Sequence, residues 1–392
     1  MSTLPAGAAS TGVSTRDAVT TLPQYGSASL TELLPSAVAA VCTGSWGVEE
    51  FDNVLGLPDA NAYVVLLIDG MGLELLREHP SQAPYLTSLG LDRILTSGVP
   101  STTVTSIASL CTGLPPGQHG LVGFTSRIPG TDELLDALRW DGRVDPITYQ
   151  PHATVFGRAR SAGVAATVVS RTAFEASGLT LATQRGAHYA GFDTRAGRLL
   201  AAVTSARVPR SLTYMYEGRL DSTGHRAGCR SSDWRDQLVM VDAFAEELRE
   251  ALPAEVVLIV TADHGMVDIA FEDRLRVEDY PDLMLGVRLF GGEARLRHLY
   301  CESGTADDVR ARWAETMGTA AIVLTRNDAI ANGWFGEVED RVVERLGDVV
   351  VASVGETAVV STALFPHEAE LVGLHGSVTP AEMLVPLLLA TG

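Results

Sequence analysis

The sequence contains no lysine. Its 29 basic side chains of the Lys/Arg class are all arginines. That removes Schiff-base chemistry on an amine and any phosphate-binding loop built around a lysine. Cysteine is scarce. Cys42, Cys111, Cys229 and Cys301 lie far apart and form no CxxC pair. Neither a disulfide framework nor a thiolate zinc site is expected. No apolar run reaches the roughly 18 residues that a membrane-spanning helix needs. The opening segment MSTLPAGAASTGVSTRDAV lacks a basic start followed by an apolar core, so it does not read as a secretory signal, and the expectation is a cytoplasmic protein. Basic charge is also in deficit: 48 acids against 29 bases give a net charge of −19. Such a surface is unsuited to tracking phosphates along a nucleic acid, so no nucleic-acid partner is expected. A small phosphorylated substrate is compatible, because a local metal site can meet its charge.

What is present reads as an α/β protein. The length of 392 residues exceeds what most single cores hold. The expected organisation is a flexible N-terminal arm over 1–28, a main domain over 29–279 and 361–392, and a small α+β insert over 280–360. The arm is rich in Ser, Thr, Ala and Gly. A helix begins at Leu30 in LTELLPSAVAAV, and Pro35 is expected to break it. AYVVLLIDGMG (62–72), VAATVVS (164–170), SLTYMYEG (211–218) and VVLIVTADHG (256–265) are apolar runs of strand length. TVFGRARSAG, TVTSIASLCTG and DWRDQLVMVDAFAEELREAL have helical patterns between them. Strands alternating with helices predict a mostly parallel central sheet flanked by helices.

In such a sheet, ligands bind beyond the carboxyl ends of the strands. Asp69 follows the first strand, Asp263 and His264 follow VVLIV, Asp221 and His225 follow SLTYMYEG, and His375 stands in the C-terminal LHG. Each alone is an ordinary turn, cap or hydrogen-bonded histidine. As a set, three aspartates and three histidines offer oxygen and nitrogen ligands for two divalent ions. Paired metals suit in-line displacement at phosphorus. The stretch PSTTVTS places hydroxyls at the start of a short helix, where free N–H groups attract a phosphate. A threonine or serine alkoxide there can attack phosphorus, while Ser101 or Thr102 can equally serve as an N-cap.

Five segments occur in order across about residues 62–389: VVLLIDGMG, PSTTVTSIASLCTGLPPGQHGLVGF, YEGRLDSTGHRAG, VTADHGM and LHGSVTPAEMLVPLLL. Together they resemble the alkaline phosphatase superfamily and, within it, the nucleotide pyrophosphatase/phosphodiesterase branch. The resemblance implies an alkaline-phosphatase-like fold and a two-metal phosphodiesterase or nucleotide pyrophosphatase. Asp69, Asp263 and His264 would hold one metal together with the nucleophile, and Asp221, His225 and His375 the other. The ions would be Zn²⁺, with Mn²⁺ as the alternative. Counting nine positions back from Thr112 gives Thr103 as the nucleophile, with Thr102 and Thr105 as register alternatives. A phospho-threonine intermediate follows from that role. The substrate would be a small phosphorylated compound, with a nucleotide among the candidates.

Phe124 stands near the position of a phosphate-contacting asparagine in the eukaryotic-type diesterases, with Thr125 and Ser126 as polar substitutes. Phe124, Tyr149, Phe156 and Tyr189 are candidates for stacking on a base. Arg127, Arg171 and Arg185 are candidates for the extra arginine of a phosphomonoesterase. A monoesterase and a phosphonoacetate-hydrolase-like enzyme are the alternatives on the same scaffold, although the latter leans on lysine. A catalytically silent binder of metal and a phosphorylated ligand is the alternative of another class. His119 is expected to be structural, and His298 and His367 are given no catalytic role.

Overall fold

The chain's unalternating aliphatic runs form the centre of the molecule. The computed structural model describes residues 20–42, 50–140 and 142–392. Residues 1–19 of the expected arm therefore lie outside the described residues. Of the rest of that segment, the Thr21 amide donates to the Val378 carbonyl at 2.8 Å and the Gln24 amide to the Thr96 hydroxyl at 2.8 Å.

Strand β1 (Ala62–Ile68) is buried at every position. It lies between β4 (Ser211–Glu217) and β5 (Val256–Thr261), parallel to both. Beyond β4 come β2 (Ala165–Ser170) and β3 (His188–Gly191), also parallel. A strand buried on both faces has no use for polar alternation, which is why these segments read as continuous apolar runs. A second, antiparallel sheet contains β6 (Val287–Glu293), β7 (Leu296–Cys301), β8 (Ala321–Thr325) and β9 (Val349–Ser353), in the order β6-β7-β9-β8. The chain returns as β10 (Leu388–Ala390), antiparallel to β5 at the edge of the first sheet.

Helix α1 (Leu30–Val41) runs through Pro35 without a break, contrary to the sequence expectation. Pro in a helix interior costs about 3 kcal/mol. Here a Ser29/Glu32 capping box closes the start, and nine of the twelve residues are buried, which offsets that cost. Helix α2 (Thr103–Thr112) stops at Gly113, whose φ of +69° suits a residue without Cβ. Helix α3 (Arg219–Ala227) directly follows β4, and α4 (Ser232–Ala251) packs against it. Helix α5 (Ala306–Met317) covers the second sheet and buries Val309, Trp313 and Met317. Among the described residues, no helix is long and apolar enough to cross a membrane.

One buried ion pair ties the second sheet to the C-terminal segment. At the β6–β7 turn, Arg295 Nε and Nη2 donate to Glu382 Oε1 at 3.1 Å and Oε2 at 2.7 Å, with both side chains fully buried. Glu382 also accepts from the Ser377 amide at 3.0 Å, two residues after His375. Glu382→Ala strands a guanidinium in the interior. The expected loss is about 3–5 kcal/mol of stability, read from the denaturant midpoint. A change under about 1 kcal/mol would mean the pair does not lock these segments together.

Candidate active site

The registers align the carboxyl ends of three strands. Ile68 pairs with Glu217, and Leu67 with Thr261. Asp69, Asp263 with His264, and the start of α3 therefore emerge side by side. Gly265 is required by close approach: a Cβ there would lie 1.9 Å from the Ala381 carbonyl oxygen. His375 arrives from the C-terminal segment. The Ser101 amide donates to the Gly376 carbonyl at 3.1 Å, which fixes that segment to the start of α2.

Six of the predicted residues form one continuous cluster around Thr103. Thr103 Oγ1 lies 3.2 Å from His264 Nε2 and 3.5 Å from Asp69 Oδ1. His264 Nε2 is 3.4 Å from Asp69 Oδ1 and 3.5 Å from Asp263 Oδ2. Asp221 Oδ1 is 3.4 Å from His225 Nε2 and 3.8 Å from His375 Nε2, and the two Nε2 atoms are 3.3 Å apart. The His264 and His375 rings stack with centroids 3.7 Å apart, so the two halves share a wall.

Each imidazole is oriented the same way. Nδ1 of His264, His225 and His375 donates to the carbonyl of Gly265 (2.9 Å), Gly373 (2.8 Å) and Ser101 (3.0 Å) respectively. A carbonyl has no proton to give, so Nδ1 donates and Nε2 of each ring turns into the cluster. Asp221 Oδ1 and Asp263 Oδ2 are buried without a hydrogen-bond donor. Buried acceptors of this kind are costly unless a cation meets them. A tetrahedral shell with ligands about 2.0–2.1 Å from zinc has edges of about 3.3 Å, close to the spacings here. The donor set fits divalent cations, and the carbonyl partners are the usual means of fixing a ligating histidine.

The electrostatics agree. Burial, then the charges of Asp263 and Asp221, hold the Asp69 carboxyl well above the usual carboxylate range. Burial also raises Asp263, opposed by His264. Burial, then His264 and His225, hold His375 well below the usual imidazole value.

Two residues at the site were missed in the sequence. The Tyr216 hydroxyl donates to Asp69 Oδ2, leaving Oδ1 to face Thr103. Its signal was a tyrosine near the carboxyl end of the strand beside Asp69. Glu293, at the end of β6, is buried and accepts from the Phe124 amide at 2.9 Å. Burial pushes its carboxyl up to about 7 from 4.5. The folded pKa lies above the unfolded one, so native Glu293 binds more protons, and its contribution to stability is lost as pH rises from about 4.5 to about 7. For metal-free protein, Glu293→Gln is therefore expected to gain about 3 kcal/mol relative to wild type between pH 4.5 and 7.5. Parallel stability curves from urea denaturation would refute this.

A cleft of about 880 Å³ opens over the cluster, and Thr102, Thr103, Phe124, Glu293 and His375 line it. Phe124, a candidate from the sequence, is among the lining residues. Thr125 also lines the cleft, whereas Ser126 is buried against the Tyr149 hydroxyl. Tyr149 and Phe156 are core residues, and the Tyr189 hydroxyl donates to the Arg171 carbonyl. Phe365 lines the cleft and was not anticipated. Arg127 donates to the Thr131 carbonyl, and Arg185 to the carbonyls of Ala182, Gln150 and His152. Arg171 lies over the Phe174 ring. None of these three lines the cleft. His119 bonds Ser109 and the Leu121 amide, and His298 bonds Val122 and the Gly347 amide, so both are internal braces.

The sequence profile of the type I phosphodiesterase/nucleotide pyrophosphatase family matches residues 63–378. No curated protein sequence matches the chain. Among solved structures, human ectonucleotide pyrophosphatase/phosphodiesterase 5 is similar with a TM-score of 0.67 and 16% identity, over 83% of this chain and 87% of that one. The murine counterpart, an inactive threonine-to-alanine variant in complex with AMP, gives a TM-score of 0.66 at 16% identity and the same coverage. Phosphonoacetate hydrolase from Sinorhizobium meliloti 1021, in complex with phosphonoformate, gives 0.64 at 19% identity, over 85% of this chain and 90% of that one.

Proposed function

Since the chain belongs to the type I phosphodiesterase/nucleotide pyrophosphatase family and is a hydrolase of phosphoric esters, we propose that it cleaves a phosphodiester or pyrophosphate bond through a covalent intermediate on Thr103. The observation that carries this reading is the Thr103 hydroxyl, held 3.2 Å from His264 Nε2 beside buried acceptors that lack a donor. Asp69, Asp263 and His264 would hold one divalent cation with Thr103, and Asp221, His225 and His375 a second. Such ions, zinc by resemblance, supply positive charge that acidifies the hydroxyl and neutralises phosphoryl oxygens.

The chain's own groups account for the rest. Thr103 is the first residue of α2, so the free N–H groups of the first turn face the same space as its hydroxyl and favour a phosphoryl oxygen there. Tyr216 fixes Asp69 so that Oδ1 faces the Thr103 proton. The Thr103 oxygen, its proton released to solvent, attacks phosphorus; the bond to the leaving oxygen breaks, that oxygen takes a proton from solvent, and a phospho-threonine results that still carries the substrate's other ester substituent. Water then attacks the same phosphorus and releases Thr103. The inactive threonine-to-alanine variant of the murine relative supports a threonine nucleophile.

The test is hydrolysis of bis-p-nitrophenyl phosphate against p-nitrophenyl phosphate by chelator-stripped protein, before and after Zn²⁺ or Mn²⁺ is restored. Metal-dependent preference for the diester is expected. Preference for the monoester would move the enzyme to the phosphatase side. Phosphonoacetate is the third substrate to include, because a phosphonoacetate hydrolase shares this fold.

A further inference from the structure

We infer that the cleft over Thr103 receives the organic part of the substrate as an apolar, uncharged aryl or alkyl group, and that it disfavours a polyphosphate chain. This rests on the phosphoric-ester reading above. One wall carries Phe124, Leu134 and Leu138, and the other carries Leu364, Phe365 and Leu371. The walls come from segments more than 200 residues apart in sequence, so their apolar character is not a shared strand pattern. Leu138 is 51% exposed and Leu364 55% exposed. Leucines left open to water in a cleft lining gain when an apolar group covers them.

The charge inventory points the same way. Asp136, Glu293, Glu368 and Glu370 line this cleft, against the arginines Arg139 and Arg226. Arg226 is committed to Asp233 at 3.0 Å, and Arg139 lies 3.7 Å from Asp136. A chain of additional phosphates would enter a net acidic cleft whose two lining arginines each stand beside an aspartate. The two metals of the proposed reading would meet the charge of the reacting phosphoryl group only.

The experiment uses the full-length, metal-loaded enzyme at pH 8 and a diester series with a common p-nitrophenol leaving group. The second substituent is methyl, hexyl or phenyl, and ATP is the polyphosphate competitor. The expected result is a kcat/KM for the hexyl and phenyl esters about tenfold or more above the methyl ester, with ATP no better than the methyl ester. In a Leu138→Asp/Leu364→Asp variant that ratio is expected to shrink towards unity. Both leucines are more than half exposed, so folding is not at stake. Equal kcat/KM across the series, or ATP as the preferred substrate, would overturn the inference.

A binding readout separates this inference from the reading beneath it. Calorimetry compares hexylphosphonate, methylphosphonate and ATP on the same protein. Tighter hexylphosphonate binding with a negative heat-capacity change supports the apolar subsite even if no ester turns over, an outcome that would sink only the diesterase reading. Equal binding of the two phosphonates sinks the subsite.

Discussion

Thr103→Ala is expected to lower diester turnover by about 10³-fold or more while leaving the fold unchanged. The hydroxyl lies 3.2 Å from His264 Nε2 and 3.5 Å from Asp69 Oδ1, and its side chain is only partly enclosed, so its loss opens no large cavity. The register alternatives behave differently in the structure. The Thr105 hydroxyl is buried and donates to the Leu121 carbonyl at 3.1 Å. The Thr102 hydroxyl bonds Glu293 rather than the cluster. Thr102→Ala and Thr105→Ala therefore serve as controls with much smaller losses in turnover. Acid quenching of the wild type during turnover is expected to trap a phosphoryl group, still esterified to the retained substituent, on the peptide containing Thr103, and no such label is expected in Thr103→Ala. Full activity in Thr103→Ala would dispose of the covalent route. A label on Thr102 would shift the nucleophile by one residue.

The central sheet was legible because its physics is local. AYVVLLI and VVLIV announce strands buried on both faces, and Asp69, Asp263 and His264 follow them at the ends where ligands bind. Thr103 was legible through its spacing from Thr112 in a motif, and the structure puts its hydroxyl beside His264. Pro35 misled, because the local rule for proline was outweighed by a cap and by burial that only tertiary structure supplies. Tyr216 and Glu293 were not readable for a related reason. Glu293 meets Phe124 across 169 positions, and Tyr216 meets Asp69 across 147. No period or motif encodes such contacts: the first depends on how the second sheet meets the loop at Phe124, and the second on which strand pairs beside β1. The Leu364 and Phe365 side of the cleft falls in the same class: it lies in irregular chain after the second sheet, where hydrophobic periodicity carries no signal.

Asp263→Asn should produce opposite changes in stability with and without metal. Asp263 is fully buried, with Oδ1 accepting from the Gly70 amide at 3.1 Å and the His264 amide at 3.1 Å, while Oδ2 has no donor. Asparagine keeps an oxygen for the two amides and removes the charge. In metal-free protein burial raises the carboxyl above its unfolded value, so the stability it contributes below the unfolded pKa is lost as pH rises through the folded pKa, a loss that asparagine escapes. The metal-free variant is therefore expected to be at least as stable as metal-free wild type at pH 7. With metal the order reverses. A ligand bound only to the native state at 1,000 times its Kd stabilises by about 4 kcal/mol, and the variant forfeits the ion that Asp263 helps to hold. Bound metal, measured by elemental analysis after desalting, is expected to fall from about two equivalents to about one. Turnover is expected to fall with it, because Thr103 shares that ion's place beside Asp69 and His264. A variant with two equivalents and wild-type turnover would remove Asp263 from the metal set. One that is destabilised equally with and without metal would show that the carboxylate serves packing alone, since only a cation requirement reverses the sign.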